Sequence, residues 1–403
     1  MTAFNRKRGG PLEGVRVVEF SKIWAGPETG RHFAFLGAEV IKIESLGSLD
    51  GTRILGAKDI NKAPGFESVN QQKLSAQIDV KKEKGVEVVL NLLRHMDILV
   101  ENLRPGAMER SGLGYEAAKA VNPGIVYISM GMYGNDGPLA YQTGYAPCFN
   151  AVGGLSALVG YEGQTPSGIN IRYADSTCGT AAAYAGLVAL LHRRRTGIGQ
   201  FVDVSAVETM TSMIADTMMD YTVNGVTRGC DGNRHSEMAP HGLYPCQNGE
   251  WISIAVDSDA AWSALAAIMG NSALGDDPRF KRFEDRKPNE AELDKLVAAW
   301  TASCDARELV SDLQKRGVAA GKSQNSVDMA SDPLLWERGF YPELTQFDGT
   351  TKPVIGPSWR MTRGARISDG APGLGEHTAY VLGDILGLSS EDQQRLADEG
   401  ITR

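Results

Sequence analysis

The chain lacks the paired cysteines of a disulfide framework or a zinc site. Its five cysteines, Cys148, Cys178, Cys230, Cys246 and Cys304, stand far apart with no C-x-x-C pair, which fits a reducing compartment. Long apolar runs are also missing. The longest, around Ala181 to Leu191, is well short of the roughly 20 residues a membrane span needs. The N-terminal stretch "MTAFNRKRGGPLEG" has basic residues with no apolar segment behind them, so it does not read as a secretory leader. Positive charge is in deficit, with 41 Lys and Arg against 49 Asp and Glu and a net charge of -8. That balance excludes a binder that tracks nucleic-acid phosphates, because such proteins displace counterions with a basic surface. No internal repeat or low-complexity segment occurs. These absences predict a cytoplasmic globular protein with no membrane or nucleic-acid partner, acting on small molecules.

The 403 residues, 42% hydrophobic and 22% charged, exceed what one core usually supports, so two lobes are expected. Strand and helix patterns alternate through the first 200 residues. "GVRVVEF" (14–20) reads as a buried strand, "PETGRHFAFLGA" (27–38) as a helix with Gly37 near its end, and "EVIKIE" (39–44) as the next strand. Strand "KLSAQIDV", helix "KKEKGVEVVLNLLRHM", strand "DILVEN", helix "GYEAAKAV" and strand "IVYISMG" continue the rhythm. This predicts an α/β fold with a doubly wound, mostly parallel, Rossmann-like sheet. After about residue 225 the pattern changes. "GLYPCQNGEWISIAV" (242–256) has two strand-like runs around Asn248-Gly249, a hairpin signal. Helical stretches follow at 259–269, 290–300 and 306–316, then strand character around a loop at 340–356. The tail at 377–400 reads as helical and polar enough to be a surface element. The expected division is a large domain over 1–225, a smaller α+β domain over 226–335, and a return segment over 336–403 that completes the large domain.

A nicotinamide-binding reading is weak. The loop after the first strand, "SKIWAGPETG", has Gly26 and Gly30 without the G-x-G-x-x-G spacing that lets a backbone approach a pyrophosphate, and "TGIGQ" (196–200) follows a helix. Asp175 opens a run of good helix formers that ends at His192-Arg193-Arg194-Arg195. Two roles are open to it: a helix N-cap, or an ionised carboxylate held by free N–H groups and available to attack a carbonyl carbon. Arg193 to Arg195 read as helix-end charge compensation. "ENLRPGAMERSGLG" (101–114) leaves a strand end and carries Asn102, Arg104 and Arg110 around a Pro-Gly turn. Paired guanidinium donors suit phosphates, and a charged surface loop is the alternative.

Six ordered blocks carry a resemblance: "PLEGVRVVEFSKIWAGP", "FLGAEVIKIE", "ENLRPG" with "GLGYEAAKAVNPGIVYIS", "GMYGNDGP", "YADSTCGTAAAYAGLVALLHRRRTGIGQFVDVS" and "APGLGEHT". From about residue 10 to 395 the chain resembles the class III CoA-transferase family, which includes formyl-CoA transferase and carnitine CoA-transferase. The resemblance implies that Asp175 is the nucleophile and that an acyl-aspartyl anhydride, an aspartyl-CoA thioester and a second anhydride form in turn. An acyl-CoA and a free carboxylic acid are then the substrates, with no permanently bound cofactor and no metal. It also implies adenosine and phosphate contacts at Ile78 to Lys81 and at Asn102, Leu103, Arg104 and Arg110, with pantetheine passing Trp24, Ala25 and Tyr145. The sequence departs from formyl-CoA transferase at Trp24, Ser45 and Ala146, where that enzyme has Gln, Arg and Glu. If Trp24 and Ala146 line the acyl pocket, the acid is bulkier than formate: branched, aromatic or dicarboxylic, benzylsuccinate-like for example. Succinyl-CoA is then a candidate donor, with Arg172 or Lys22 as an anchor for a second carboxylate.

Two rivals stand beside this reading. The related α-methylacyl-CoA racemases need a His-Asp proton-transfer pair, which would fall at Tyr145 and Ala146, and neither residue can serve. His32, His95, His192, His235, His241 and His377 lie elsewhere, with His235 and His241 read as polar contacts. A non-catalytic CoA-binding subunit is the other rival, and retention of Asp175 argues against it. Family members form interlocked dimers, so a homodimer or a heterodimer with a related subunit is expected, threaded through segments near 205–240 and 325–355.

Overall fold

The structure, a computed structural model, describes residues 8–169 and 172–403. The basic stretch up to Lys7 and the Asn170-Ile171 pair ahead of Asp175 lie outside the described residues. Two compact units divide the chain. The first holds the described residues of Met1–Ala157, Gly168–Arg228 and Leu335–Arg403; the second holds Leu158–Ser167 and Gly229–Leu334.

The first unit is built on a six-stranded, all-parallel sheet of β1 (Arg16–Glu19), β2 (Glu39–Glu44), β3 (Leu74–Gln77), β4 (Ile98–Glu101), β5 (Val126–Gly131) and β6 (Gln200–Ser205). Their order is β3-β2-β1-β4-β5-β6. Helices α1 (Ala25–Phe35), α2 (Glu83–Leu93), α3 (Tyr115–Val121) and α4 (Tyr173–Thr196) supply crossovers. Successive strand side chains point to opposite faces, and both faces are covered, so the strands are rich in apolar residues and the polar ones they carry, such as Glu19, Lys42 and Glu101, are buried too. Val17, Val40, Ile98 and Val126 pack with Phe33 of α1 and Leu190 of α4. Their neighbours Val18, Ile41, Leu99 and Tyr127 pack on the other face with Val89 and Leu92 of α2.

The expected doubly wound sheet is therefore observed, with one strand more than the sequence suggested. β6 was missed because Asp203 interrupts its apolar character. The polar tail is more than a surface cover, since Val381, Leu382 and Leu396 are buried in the second-face core.

The second unit contains an antiparallel sheet of β7 (His241–Pro245), β8 (Trp251–Ala255) and β9 (Ala319–Lys322). The expected turn lies between β7 and β8, with Asn248 at φ +59° and Gly249 at φ +73°. Trp262, Leu265, Leu293, Val297, Leu309 and Leu313 from its helices fill the core. The His235 and His241 rings meet at 5.3 Å between centroids, tilted by 42°, and His235 Nδ1 accepts the Glu237 N–H at 3.1 Å. Among the described residues no helix is long and apolar enough to cross a membrane, and no group of three or more His, Cys, Asp or Glu residues is placed to hold a metal.

Candidate active site

The strand order reverses direction between β1 and β4: the chain winds outward to β3 on one side and to β6 on the other. Loops leaving the carboxyl ends of two such strands diverge and open a crevice, where α/β sheets bind ligands. Here the loops are Phe20–Trp24 and Asn102–Gly106. Asn102 ties them together, accepting the Lys22 N–H at 2.7 Å and donating to the Lys22 carbonyl at 2.9 Å. A cleft of about 680 Å³ opens above them.

That cleft gathers most of the residues singled out in the sequence. Trp24 and Ala25 line it from the first loop, and Asn102, Leu103, Arg104 and Arg110 from the second. Tyr145 and Asp175 complete the set. Gly106 makes the arginine loop's turn at φ +73°, and a Cβ there would stand 2.7 Å from Arg110 Nη1. Arg104 is exposed, and Arg110 donates to the Pro105 carbonyl at 3.4 Å. Neither guanidinium pairs with a carboxylate among the described residues, and a guanidinium offers donors that suit an anion.

Asp175 is not a helix cap. α4 begins two residues earlier, with Arg172 at the N-cap position and no side-chain capping bond, so Asp175 is the third helical residue. Its carboxylate accepts no hydrogen bond from the protein among the described residues. The expectation of an anion stabilised by free N–H groups therefore fails in sign: burial pushes the carboxyl up to about 6, against the opposing pull of the Arg172 guanidinium. Such a group remains roughly nine-tenths ionised at neutral pH, more basic than an ordinary carboxylate and poorly solvated. Both properties favour attack on an electrophilic carbon.

Trp24 stands against this helix start. Its indole N–H donates to Ser176 Oγ at 3.1 Å, and the Arg172 guanidinium lies 4.2 Å from its ring centroid. Lys22 also borders the cleft, with its amino group donating to Ser48 Oγ at 2.7 Å. Burial, followed by the Lys42 charge, lowers its pKa.

Several expected positions, Arg172 among them, fall outside the cleft lining. Ile78 is fully buried in the second-face core, and Lys81 sits on the turn after β3 with its amino group donating to the Gly47 carbonyl at 2.9 Å. Ala146 is packed into the first-face core at 4% exposure, so its side chain does not widen the cleft. Ser45, another position of departure, is buried. None of the six histidines lines the cleft. Sequence reasoning missed Met130, Cys148 and Cys178, which do line it. Met130 could have been found from its place near the carboxyl end of β5, which pairs with β4; the two cysteines carry no such signal.

A family model described as CoA-transferase family III matches residues 12–378. The succinyl-CoA–D-citramalate CoA-transferase of Chloroflexus aurantiacus is 34% identical over 391 residues, covering 95% of this chain and 96% of that protein. The succinate–glutarate CoA-transferase of Agrobacterium fabrum is 30% identical over 389 residues, covering 94% and 96%. A crystal structure of a CaiB/BaiF family protein from Brucella suis aligns with a TM-score of 0.87 at 31% identity, over 94% of this chain and 100% of that one. The chain belongs to CoA-transferase family III and is a class III CoA-transferase, an enzyme that takes an acyl-CoA as substrate and carries no permanent cofactor.

Proposed function

We propose that the protein moves CoA from succinyl-CoA to a free carboxylic acid larger than formate, with Asp175 as the nucleophile. The observation that carries this reading is an unencumbered carboxylate of pKa about 6 in one cleft with Arg104 and Arg110. The name of the Chloroflexus relative, which gives succinyl-CoA, supports the donor, and that of the Agrobacterium relative, which gives succinate and glutarate, supports dicarboxylic substrates.

An Asp175 oxygen attacks the thioester carbon, the C–S bond breaks, and CoA leaves as thiolate. The thiolate then attacks the Asp175 carbonyl carbon of the mixed anhydride, releasing the donor acid and leaving an aspartyl-CoA thioester. The acceptor carboxylate attacks that thioester, forming a second anhydride and freeing the thiolate again. Attack of the thiolate on the acceptor's carbonyl yields the new acyl-CoA and restores Asp175. The thiolate must wait beside the anhydride, because only proximity lets recapture outrun hydrolysis.

Arg104 and Arg110 take the CoA phosphates in this scheme, Asn102 and Leu103 border them, and Trp24, Ala25 and Tyr145 flank the pantetheine. Lys81 serves the adenosine end, where Ile78 offers only its main chain. Trp24 supplies an apolar wall for the acyl group, and Arg172, stacked on it, is the anchor for a distal carboxylate. The size argument thus rests on Trp24 without Ala146. The reading includes a cytoplasmic setting and a dimer of identical or related chains. Helix Ala215–Asn224 supports the dimer: it has no buried residue and exposes Met218, Met219, Tyr221 and Val223.

A panel of acyl-CoA donors and free acids, followed by mass spectrometry, tests the substrate class. Succinyl-CoA with a branched or dicarboxylic acceptor is expected to lead, with no exchange of the α-proton into deuterated water. Formate or oxalate ahead of every larger acid contradicts the substrate reading, and deuterium uptake without an acceptor favours racemisation.

A further inference from the structure

Ile23 sits at φ +69°, in a backbone region that a β-branched residue occupies only when its surroundings hold it there. Three side chains do so. Lys42 donates to the Ser21 carbonyl at 2.6 Å, Asn102 grips both main-chain groups of Lys22, and Asp50 Oδ1 accepts the Ile23 N–H at 3.0 Å. Asp50 is fully buried, pairs with Lys42 at 3.0 Å, and accepts the Thr52 N–H and hydroxyl at 2.9 and 2.8 Å. Ile23 also fits closely against the start of helix Gly51–Ile54, where a Cβ on Gly51 would stand 2.5 Å from Ile23 Cδ1. The strained residue immediately precedes Trp24, whose indole is bonded to the neighbour of Asp175. Asp50 itself does not border the cleft.

We infer that Asp50 is a positioning residue for acyl transfer: it fixes the left-handed turn at Ile23 and so holds the Trp24 indole against the first turn of α4, beside Asp175. This rests on Asp175 being the nucleophile. Without the Asp50 acceptor, Ile23 relaxes toward extended backbone and swings Trp24 away from Ser176. Arg104 and Arg110, which take the CoA phosphates, lie beyond the Asn102 tie, so the phosphate contacts persist and the loss falls on turnover more than on acyl-CoA binding.

The test compares Asp50→Ala, Ile23→Gly and the double variant with the parent. Glycine adopts φ +69° freely, so the turn persists without Asp50 when residue 23 is glycine. Asp50→Ala is expected to lower kcat by on the order of tenfold or more, with KM for acyl-CoA within about threefold. In the Ile23→Gly background the same change is expected to cost less than about threefold. Unchanged kcat in Asp50→Ala, or an equal loss in both backgrounds, overturns the inference. If Asp50→Ala does not fold, Asp50→Asn keeps an acceptor for Ile23 and drops the charge; kcat within about threefold of the parent supports the role, and a loss of about tenfold removes it. Trapping the parent with acyl-CoA and hydroxylamine separates the two ideas. Absence of label on Asp175 removes the nucleophile; label there with unchanged kcat in the variants removes only the positioning role.

Discussion

Asp175 meets two opposed demands, because a carboxylate kept poorly solvated for attack is costly to the fold. Its folded pKa of about 6 lies above the ordinary 3.8, so the folded state binds the proton more tightly than the unfolded chain does. The stability this confers is present below pH 3.8 and is lost as pH rises through 6. Asp175→Asn removes the buried charge, and at pH 7 we expect urea unfolding to show a gain of roughly 2 kcal/mol. The same variant is expected to lose at least on the order of a thousandfold in transfer rate. A variant as active as the parent, or less stable at pH 7, contradicts the role. The acid limb of kcat/KM, which reports the free enzyme, is expected near pH 6 in the parent. Arg172 pulls the Asp175 pKa down, so Arg172→Met moves that limb to higher pH in a pH–rate series. Glu101, pushed up to about 7 by burial, titrates nearby, and Glu101→Gln serves as the control that leaves the Asp175 limb in place.

At the scale of elements, the site depends on how closely α1 approaches α4. Gly179 permits it: a Cβ there would stand 2.6 Å from the Ala25 carbonyl, and Thr29 Oγ1 donates to the Gly179 carbonyl at 3.0 Å. We expect Gly179→Ala to destabilise the fold by about 1–3 kcal/mol despite its better helix propensity. Because Trp24 holds the N-cap position of α1 and Ser176 is the fourth residue of α4, kcat falls with it, which thermal melts and steady-state rates together report. Five of the six parallel strands were legible because each is a short apolar run bounded by helix patterns. β6 and β9 were not: Asp203 breaks the first, and Ala319–Lys322 has no β-branched or aromatic residue. The start of α4 was misplaced for a related reason. Aspartate is favoured both at a cap and in the first helical turn, and only the backbone distinguishes them. The arginine loop and Trp24 were legible as site residues because strand ends and ordered motifs mark them. The inward packing of Ala146 was not, since a small apolar residue beside a glycine-rich loop suits either environment.

At the scale of the whole molecule, the exposed apolar side of helix Ala215–Asn224 is matched by exposed Tyr184, Val188 and Leu191 on α4. Met219→Glu with Tyr221→Glu is expected to shift sedimentation from dimer to monomer; a parent that sediments as a monomer at micromolar concentration contradicts the assembly. Whichever assembly holds, the chemistry turns on one carboxylate, and the most direct measurement is made on it. The enzyme is turned over with acyl-CoA in hydroxylamine, digested, and its peptides are weighed. An activated aspartyl group exchanges CoA for hydroxylamine, so the expected result is a hydroxamate on Asp175 that requires acyl-CoA and disappears in Asp175→Asn. A hydroxamate on another carboxylate, or none while CoA transfer proceeds, contradicts Asp175 as the nucleophile.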